Sequence, residues 1–212
     1  MKVSLLDLGF HKGSIYETIV TTFDSKRRPH VAPMGVTISG ANNLILRPFL
    51  GTETFRTLNT LRCGVVNVTS DPWRFYKTAL KNETWVGSPP RSWFEPAKRV
   101  IAPRLKSCDS YVEFAVTSTS GNGPRRSVRC RVVHVKVMRK KVAPYCRSMF
   151  AAIECIIHAT RIREFQKSGA SGDAGRLIEL MEYYEDLVER VSPRSVECKI
   201  IHSLLRHLRR LQ

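Results

Sequence analysis

The sequence predicts an α+β protein, with an antiparallel β-barrel or sandwich over the first two-thirds of its 212 residues and a helical region after it. Three observations carry that prediction. Six segments rich in Val, Ile, Thr and aromatic residues follow one another as far as Met138, most of them joined by short turns, which suits meandering strands better than βαβ units. Two short helical patterns interrupt them without forming a repeating strand–helix series. From Pro144 onward the apolar residues recur every three or four positions.

The predicted strands are Ile15 to Thr22, His30 to Ile38, Leu44 to Phe49, Gly64 to Thr69, Tyr111 to Ser118 and Val128 to Met138. Turn residues punctuate them: Asp24-Ser25 with Pro29, Gly40-Ala41-Asn42-Asn43, and Gly121-Asn122-Gly123-Pro124. One helix is expected from Glu53 to Leu61, where Phe55, Leu58 and Leu61 share a face. A second follows Asp71-Pro72, a cap with proline at the first helical position. The stretch 86–103 holds four prolines beside Trp93 and Phe94, and reads as an extended excursion that covers a site or a subunit boundary. Three amphipathic helices complete the chain, separated by Ser168-Gly169-Ala170-Ser171-Gly172 before a capping Asp173 and by Ser192-Pro193. The expected division is a barrel domain over 1–141 and a helical domain over 142–212.

Hydrophobic residues make up 42% of the chain, enough for a real core. No apolar run approaches the roughly 20 residues that span a bilayer, and Asp7 interrupts the segment where a secretory signal would need continuous apolar residues. A cytoplasmic protein is expected. The six cysteines form no C-x-x-C pair and sit mostly within apolar patterns, so they read as buried thiols, not as a zinc site or a disulfide framework. The net charge of +17 is concentrated: between Ala97 and Arg147 stand thirteen Lys or Arg against Asp109 and Glu113. Such a patch attracts nucleic acid, an acidic cofactor or an anionic small-molecule substrate, and it is equally compatible with a solvated surface.

The segment 44–69 carries the strongest chemical signal. Arg47 closes an apolar run, and Gly51-Thr52-Glu53-Thr54 opens the first helix. Unpaired N–H groups at a helix start, with hydroxyls and a guanidinium beside them, make a place for a phosphate. In Val65-Val66-Asn67-Val68-Thr69, alternation puts Asn67 and Thr69 on one face of a strand otherwise suited to burial, and a heteroaromatic edge would satisfy a buried amide. His30, and His158 four residues after Glu154, are the histidines weighed as acid–base groups; His30 reads more simply as a surface turn histidine and His158 as half of a structural pair. No H-E-x-x-H, G-x-S-x-G or P-loop pattern occurs, which removes those hydrolase and nucleotide-triphosphatase classes.

The runs IYETIVTT, HVAPMGV, LRPFLGTETFRTL and GVVNVTSDPWRFYKTAL, with FAAIECIIHATRIREF and a helix pair behind them, resemble the largely archaeal family of uncharacterised FMN-binding proteins. That family has the split β-barrel fold shared by flavin reductases and pyridoxamine phosphate oxidases. The resemblance implies FMN as cofactor and a homodimer with flavin at the subunit interface. It assigns the strand around Pro33, Met34 and Gly35 to the isoalloxazine edge, Arg47, Thr52 and Thr54 to the phosphate, Phe49 to the ribityl chain or ring, and Asn67 to a polar flavin contact. Where pyridoxamine phosphate oxidases carry a lysine in the turn before the phosphate helix, this chain has Thr54 and the nearby Arg56. The function implied is a flavin-dependent oxidoreductase of unassigned substrate. The alternatives are a nucleic-acid-binding protein using the basic 97–147 region, which lacks interleaved aromatics for base stacking, and a non-catalytic flavin carrier or sensor.

Overall fold

The computed structural model describes residues 3–10, 12, 15–138, 147–168 and 171–210, without the side chains of 167, 168 and 171. The chain divides into two compact units, Met1–Thr69 with Pro89–Lys141, and Ser70–Ser88 with Val142–Gln212. Segment 70–88, placed with the barrel in the sequence division, groups instead with the C-terminal helices, because its helix packs on two of them.

Among the described residues, the first unit is built on eight strands: β1 (Tyr16–Phe23), β2 (Pro29–Gly40), β3 (Asn43–Leu46), β4 (Cys63–Val68), β5 (Phe94–Pro96), β6 (Pro103–Leu105), β7 (Ser110–Ser120) and β8 (Ser127–Val137). Six of them close into a barrel in the order β1-β2-β3-β8-β7-β4, every pair antiparallel. The six predicted strands are these six. Strand alternation sends Val20, Val36, Ile38, Leu44, Leu46, Val66, Val112, Phe114, Val128 and Cys130 into one buried cluster. Leu5 and Phe10, flanking a 3₁₀ turn at Leu6–Leu8, join that cluster, as does Leu58 of helix α1 (Glu53–Leu61). Burial pushes the Cys130 thiol up to about 12, so it packs as a small apolar group. The described cysteines are all free thiols, and Cys146 lies outside the described residues.

The opposite face of β1, β4 and β7 is covered by the proline-rich excursion, which runs on through Leu105. It contains a 3₁₀ turn at Arg91–Trp93 and the two-stranded hairpin β5–β6. Three buried polar side chains of the barrel bind its backbone. The Thr21 hydroxyl donates to Pro103 O (2.6 Å), and Asn67 Oδ1 accepts from Leu105 N (2.8 Å). The Glu113 carboxylate, fully buried, accepts from Lys98 N (2.8 Å), Arg99 N (2.6 Å) and Val100 N (3.1 Å). Four prolines withhold donors from this segment, so strand pairing alone cannot secure it, and side chains from the barrel supply the missing bonds.

The second unit holds α2 (Pro72–Ala79), α3 (Arg147–Ser168), α4 (Ser171–Val191) and α5 (Val196–Arg209). Asp71 caps α2 through Trp73 N and Ser195 caps α5 through Cys198 N. Asp173, expected as the cap of α4, lies in its first turn, where a carboxylate still favours the helix dipole. Cys155, Ile156, Ala159 and Ile162 of α3 are buried, as are Met181 and Val188 of α4 and Ile200, Ile201, Leu204, Leu205 and Leu208 of α5. Tyr76 on α2 reaches Ser203 on α5 (3.2 Å), and Trp85 stacks on His207 with ring centroids 4.4 Å apart. Among the described residues no helix is long and apolar enough to cross a membrane.

His158 is buried in this unit, 4.0 Å from Glu154, and its ring nitrogens have no hydrogen-bond partner among the described residues. The i,i+4 pair expected from the sequence is therefore a loose one. Burial lowers the His158 pKa, opposed by Glu154 and assisted by Arg161. The unfolded chain then takes up a proton at higher pH than the folded one. Stability is present above the unfolded value of about 6.5 and is lost as pH falls through the lower folded value. Thermal unfolding followed by circular dichroism should show a larger drop between pH 7.5 and 5.5 for the wild type than for His158→Leu, and equal drops would remove His158 from the acid response.

Candidate functional site

The candidate site forms where β3 ends and α1 begins. β3 pairs with β2 only from Val36 onward, so residues 32–35 of β2 are laddered to β1 on one side and, among the described residues, to no strand on the other. The predicted strand through Phe49 stops at Leu46 because Pro48 interrupts the ladder, and Phe49 makes an isolated bridge to Arg125. The chain turns at Gly51, whose φ of 88° is costly for any residue with a Cβ. Thr52 then starts α1: its hydroxyl donates to Phe49 O (2.8 Å) and accepts from Phe55 N (3.2 Å). Helix geometry leaves the N–H groups of Glu53 and Thr54 without intrahelical acceptors, pointing out of the helix start.

The structure brings Arg47, Phe49, Thr52 and Thr54 together in this one turn and helix start. Arg47 and Phe49 are exposed. The Thr54 side chain is buried and its hydroxyl lies 2.9 Å from His30 Nε2 on β2, so the part of Thr54 that faces outward is its N–H. The Thr57 hydroxyl donates to Thr54 O (3.1 Å) and lies 2.9 Å from that of Thr22. His30, read from the sequence as a turn histidine, is a strand residue that ties β2 to α1. Glu53 is the one carboxylate in 39–62, and it pairs with Arg56 at 2.8 Å.

Pro33, Met34 and Gly35 lie on the one-sided stretch of β2 beside this turn. Met34 packs against the barrel core and its carbonyl accepts from the Thr18 hydroxyl (2.9 Å). At Gly35 an added Cβ would meet Ile15 Cγ2 at 2.9 Å, so the close approach expected of this glycine is made by a side chain of the same protein. Asn67 departs from its expected role. It is fully buried, and its amide donates to Ile19 O (2.9 Å) and Thr21 Oγ1 (3.0 Å) while its carbonyl holds Leu105 N. Both halves of the amide are already engaged, which makes Asn67 a clamp for the β5–β6 hairpin.

Sequence reading missed Arg125 as part of the site. The 121–126 turn is joined to the 47–52 turn by Leu50 N to Pro124 O (2.8 Å) and Arg126 N to Pro48 O (3.0 Å). The Arg125 guanidinium sits 4.0 Å over the Phe49 ring. The Arg126 guanidinium binds the Gly121 carbonyl and lies 3.4 Å from that of Gly123, holding the turn in shape. The signal available in the sequence was the pairing of the third predicted strand with the last, which puts the two turns side by side. Chemically, the arrangement offers N–H donors and guanidinium groups to an anion, next to an open strand edge able to bind a flat polar ring.

Residues 16–139 match a family model described as the N-terminal domain of a protein of unknown function, DUF447. Among solved structures, the chain is similar to the FMN-bound protein MM1853 from Methanosarcina mazei, of the same family, with a TM-score of 0.77, 24% identity, and coverage of 96% of this chain and 98% of that one. It is also similar to BorF, the flavin reductase component of a bacterial two-component tryptophan halogenase (TM-score 0.51, 15% identity, 60% of this chain and 82% of that one). Component B of a nitrilotriacetate monooxygenase from Mycobacterium thermoresistibile follows, with a TM-score of 0.50, 12% identity, and 60% and 72% coverage. These likenesses identify the fold as the flavin reductase type of split barrel.

Proposed function

We propose that this chain, which belongs to the DUF447 family, binds FMN and works as a flavin-dependent oxidoreductase. The observation that carries the reading is Arg47 beside the open start of α1, flanked by the unladdered edge of β2. The Glu53 and Thr54 N–H groups and the Arg47 guanidinium hold the phosphate, and Thr52 fixes the turn by its two hydrogen bonds. Residues 32–35 of β2 meet the ring edge with backbone groups, and Phe49 lines the ribityl path. The FMN-bound relative supports the choice of flavin. Bound FMN supplies hydride or electron transfer, and the protein's part is to bind it, orient it and limit water around it.

Ile15 is 69% exposed and Leu50 51% exposed close to this site, an apolar rim that suits a second copy of the chain. We therefore read the working form as a homodimer that encloses the flavin between subunits. The test is an absorption spectrum from about 300 to 550 nm of the protein loaded with FMN, followed by anaerobic addition of NADH or NADPH. Bound-flavin bands that bleach under reductant support the oxidoreductase. Bands that persist under both reductants leave a flavin carrier, and no binding under any loading removes the reading.

A further inference from the structure

We propose that the outer face of the β3–β8 ladder is a binding track for an elongated polyanion, the co-substrate of the flavin site. This rests on the reading of that site given above. The register places the residues: Asn43 pairs with Arg131, Ile45 with Arg129, and Phe49 with Arg125, while Leu44, Leu46, Val128 and Cys130 between them point into the barrel. Arg47 follows Leu46 and faces outward. Arg47, Arg125, Arg129 and Arg131 are all exposed: Arg129 and Arg131 stand on β8, Arg125 in the bridge just before it, and Arg47 directly after β3. With a rise of about 3.4 Å per residue, Arg129 and Arg131 are roughly 7 Å apart and the row from Arg125 to Arg131 is about 20 Å long.

Among the described residues of these strands and turns, no carboxylate is free to offset the charge. Glu53 is the one carboxylate in 39–62, where it pairs with Arg56, and 114–138 contains none. Glu113, next in β7, is buried on the hairpin side with its oxygens bound to backbone N–H groups. The row is also rigid. Its strands are laddered, and its turn is fixed by Leu50 N to Pro124 O, by Arg126 N to Pro48 O and by the Arg126 guanidinium. Guanidinium groups presented from a fixed backbone can take phosphate or carboxylate in two-pronged fashion, and Arg125 is further held over the Phe49 ring. One end of the row is Arg47 and Arg125, which belong to the flavin phosphate turn; the other is Arg131. A ligand lying along it reaches the flavin site at one end and carries negative groups about 14 and 20 Å along its tail, opposite Arg129 and Arg131. Phosphate esters and a run of carboxylates both meet that description.

The test uses the double variant Arg129→Gln, Arg131→Gln, which leaves the turn at Arg47 intact. Tripolyphosphate and hexaglutamate serve as probes, titrated calorimetrically into full-length protein at two salt concentrations, with thermal unfolding as the check on folding. The expected result is that wild type binds at least one probe, more weakly at the higher salt, and that the variant loses tenfold or more while its FMN affinity is unchanged. Preference for tripolyphosphate assigns a phosphorylated tail and preference for hexaglutamate a polycarboxylate one. Equal probe binding by wild type and variant would overturn the proposal. So would a single-stranded 12-mer binding more tightly than either probe through the same two arginines, since the face would then serve nucleic acid. If wild type binds a probe through these arginines yet takes up no FMN, the track stands and the flavin reading fails.

Discussion

Replacing Glu113 with alanine is expected to lower the unfolding free energy by about 3 kcal/mol, and to release the 97–101 turn before the barrel itself unfolds. The carboxylate is fully buried on β7 and its two oxygens take three backbone N–H donors, from Lys98, Arg99 and Val100. Removing it leaves three donors with nothing to bind inside, and they regain water only if the turn swings out. Hydrogen bonds to an ionised acceptor are worth about 1.5–3 kcal/mol each, but rehydration of the freed turn recovers part of that loss. Lys98 and Arg99 are exposed trypsin sites at the tip. Cleavage there should accelerate in Glu113→Ala and less in Glu113→Gln, whose amide keeps one acceptor but turns two hydrogens toward a donor. Unchanged urea midpoint and unchanged cleavage would show that the hairpin is held by other contacts, chiefly Thr21 and Asn67.

Arg47→Ala is expected to weaken FMN binding by roughly thirty- to a hundredfold while leaving the melting temperature nearly unchanged. The side chain is exposed, so its loss leaves no cavity. A charge-assisted contact from a guanidinium to a phosphate is worth about 2–3 kcal/mol when the phosphate is partly shielded from water. Arg47→Lys should recover part of that loss, because an ammonium supplies the charge without the fork of donors. Fluorescence quenching of FMN on titration reads all three proteins. If Arg47→Ala binds FMN as wild type does, the phosphate lies elsewhere, and Arg125 over Phe49 becomes the leading alternative.

The barrel was legible in the sequence because each of its strands carries a strong local signal. Val65, Val66 and Val68, for example, sit in a short run bounded by a helix on one side and by Asp71-Pro72 on the other. Helix α1 was legible to the residue, since Thr52 caps it and its apolar residues keep helical spacing. The β5–β6 hairpin was not. Its strands are three residues each, too short for periodicity to register, and its fixing groups lie far off in the chain at Thr21, Asn67 and Glu113. The same distance misled the reading of Asn67. A polar residue in a buried strand signals a partner, but the sequence does not say whether that partner is a ligand or the Leu105 N–H thirty-eight residues away. Arg47, Phe49, Thr52 and Thr54 were found together because one turn carries them, whereas Arg125 reaches that turn only through the β3–β8 pairing.

If a phosphate at the start of α1 holds the flavin, FMN and riboflavin, which differ by that phosphate alone, bind this protein very differently. Wild type is expected to prefer FMN by about a hundredfold or more, with the preference collapsing to severalfold in Arg47→Ala. Equal affinity of wild type for FMN and riboflavin would show that no phosphate is held at the start of α1, whatever the strength of binding.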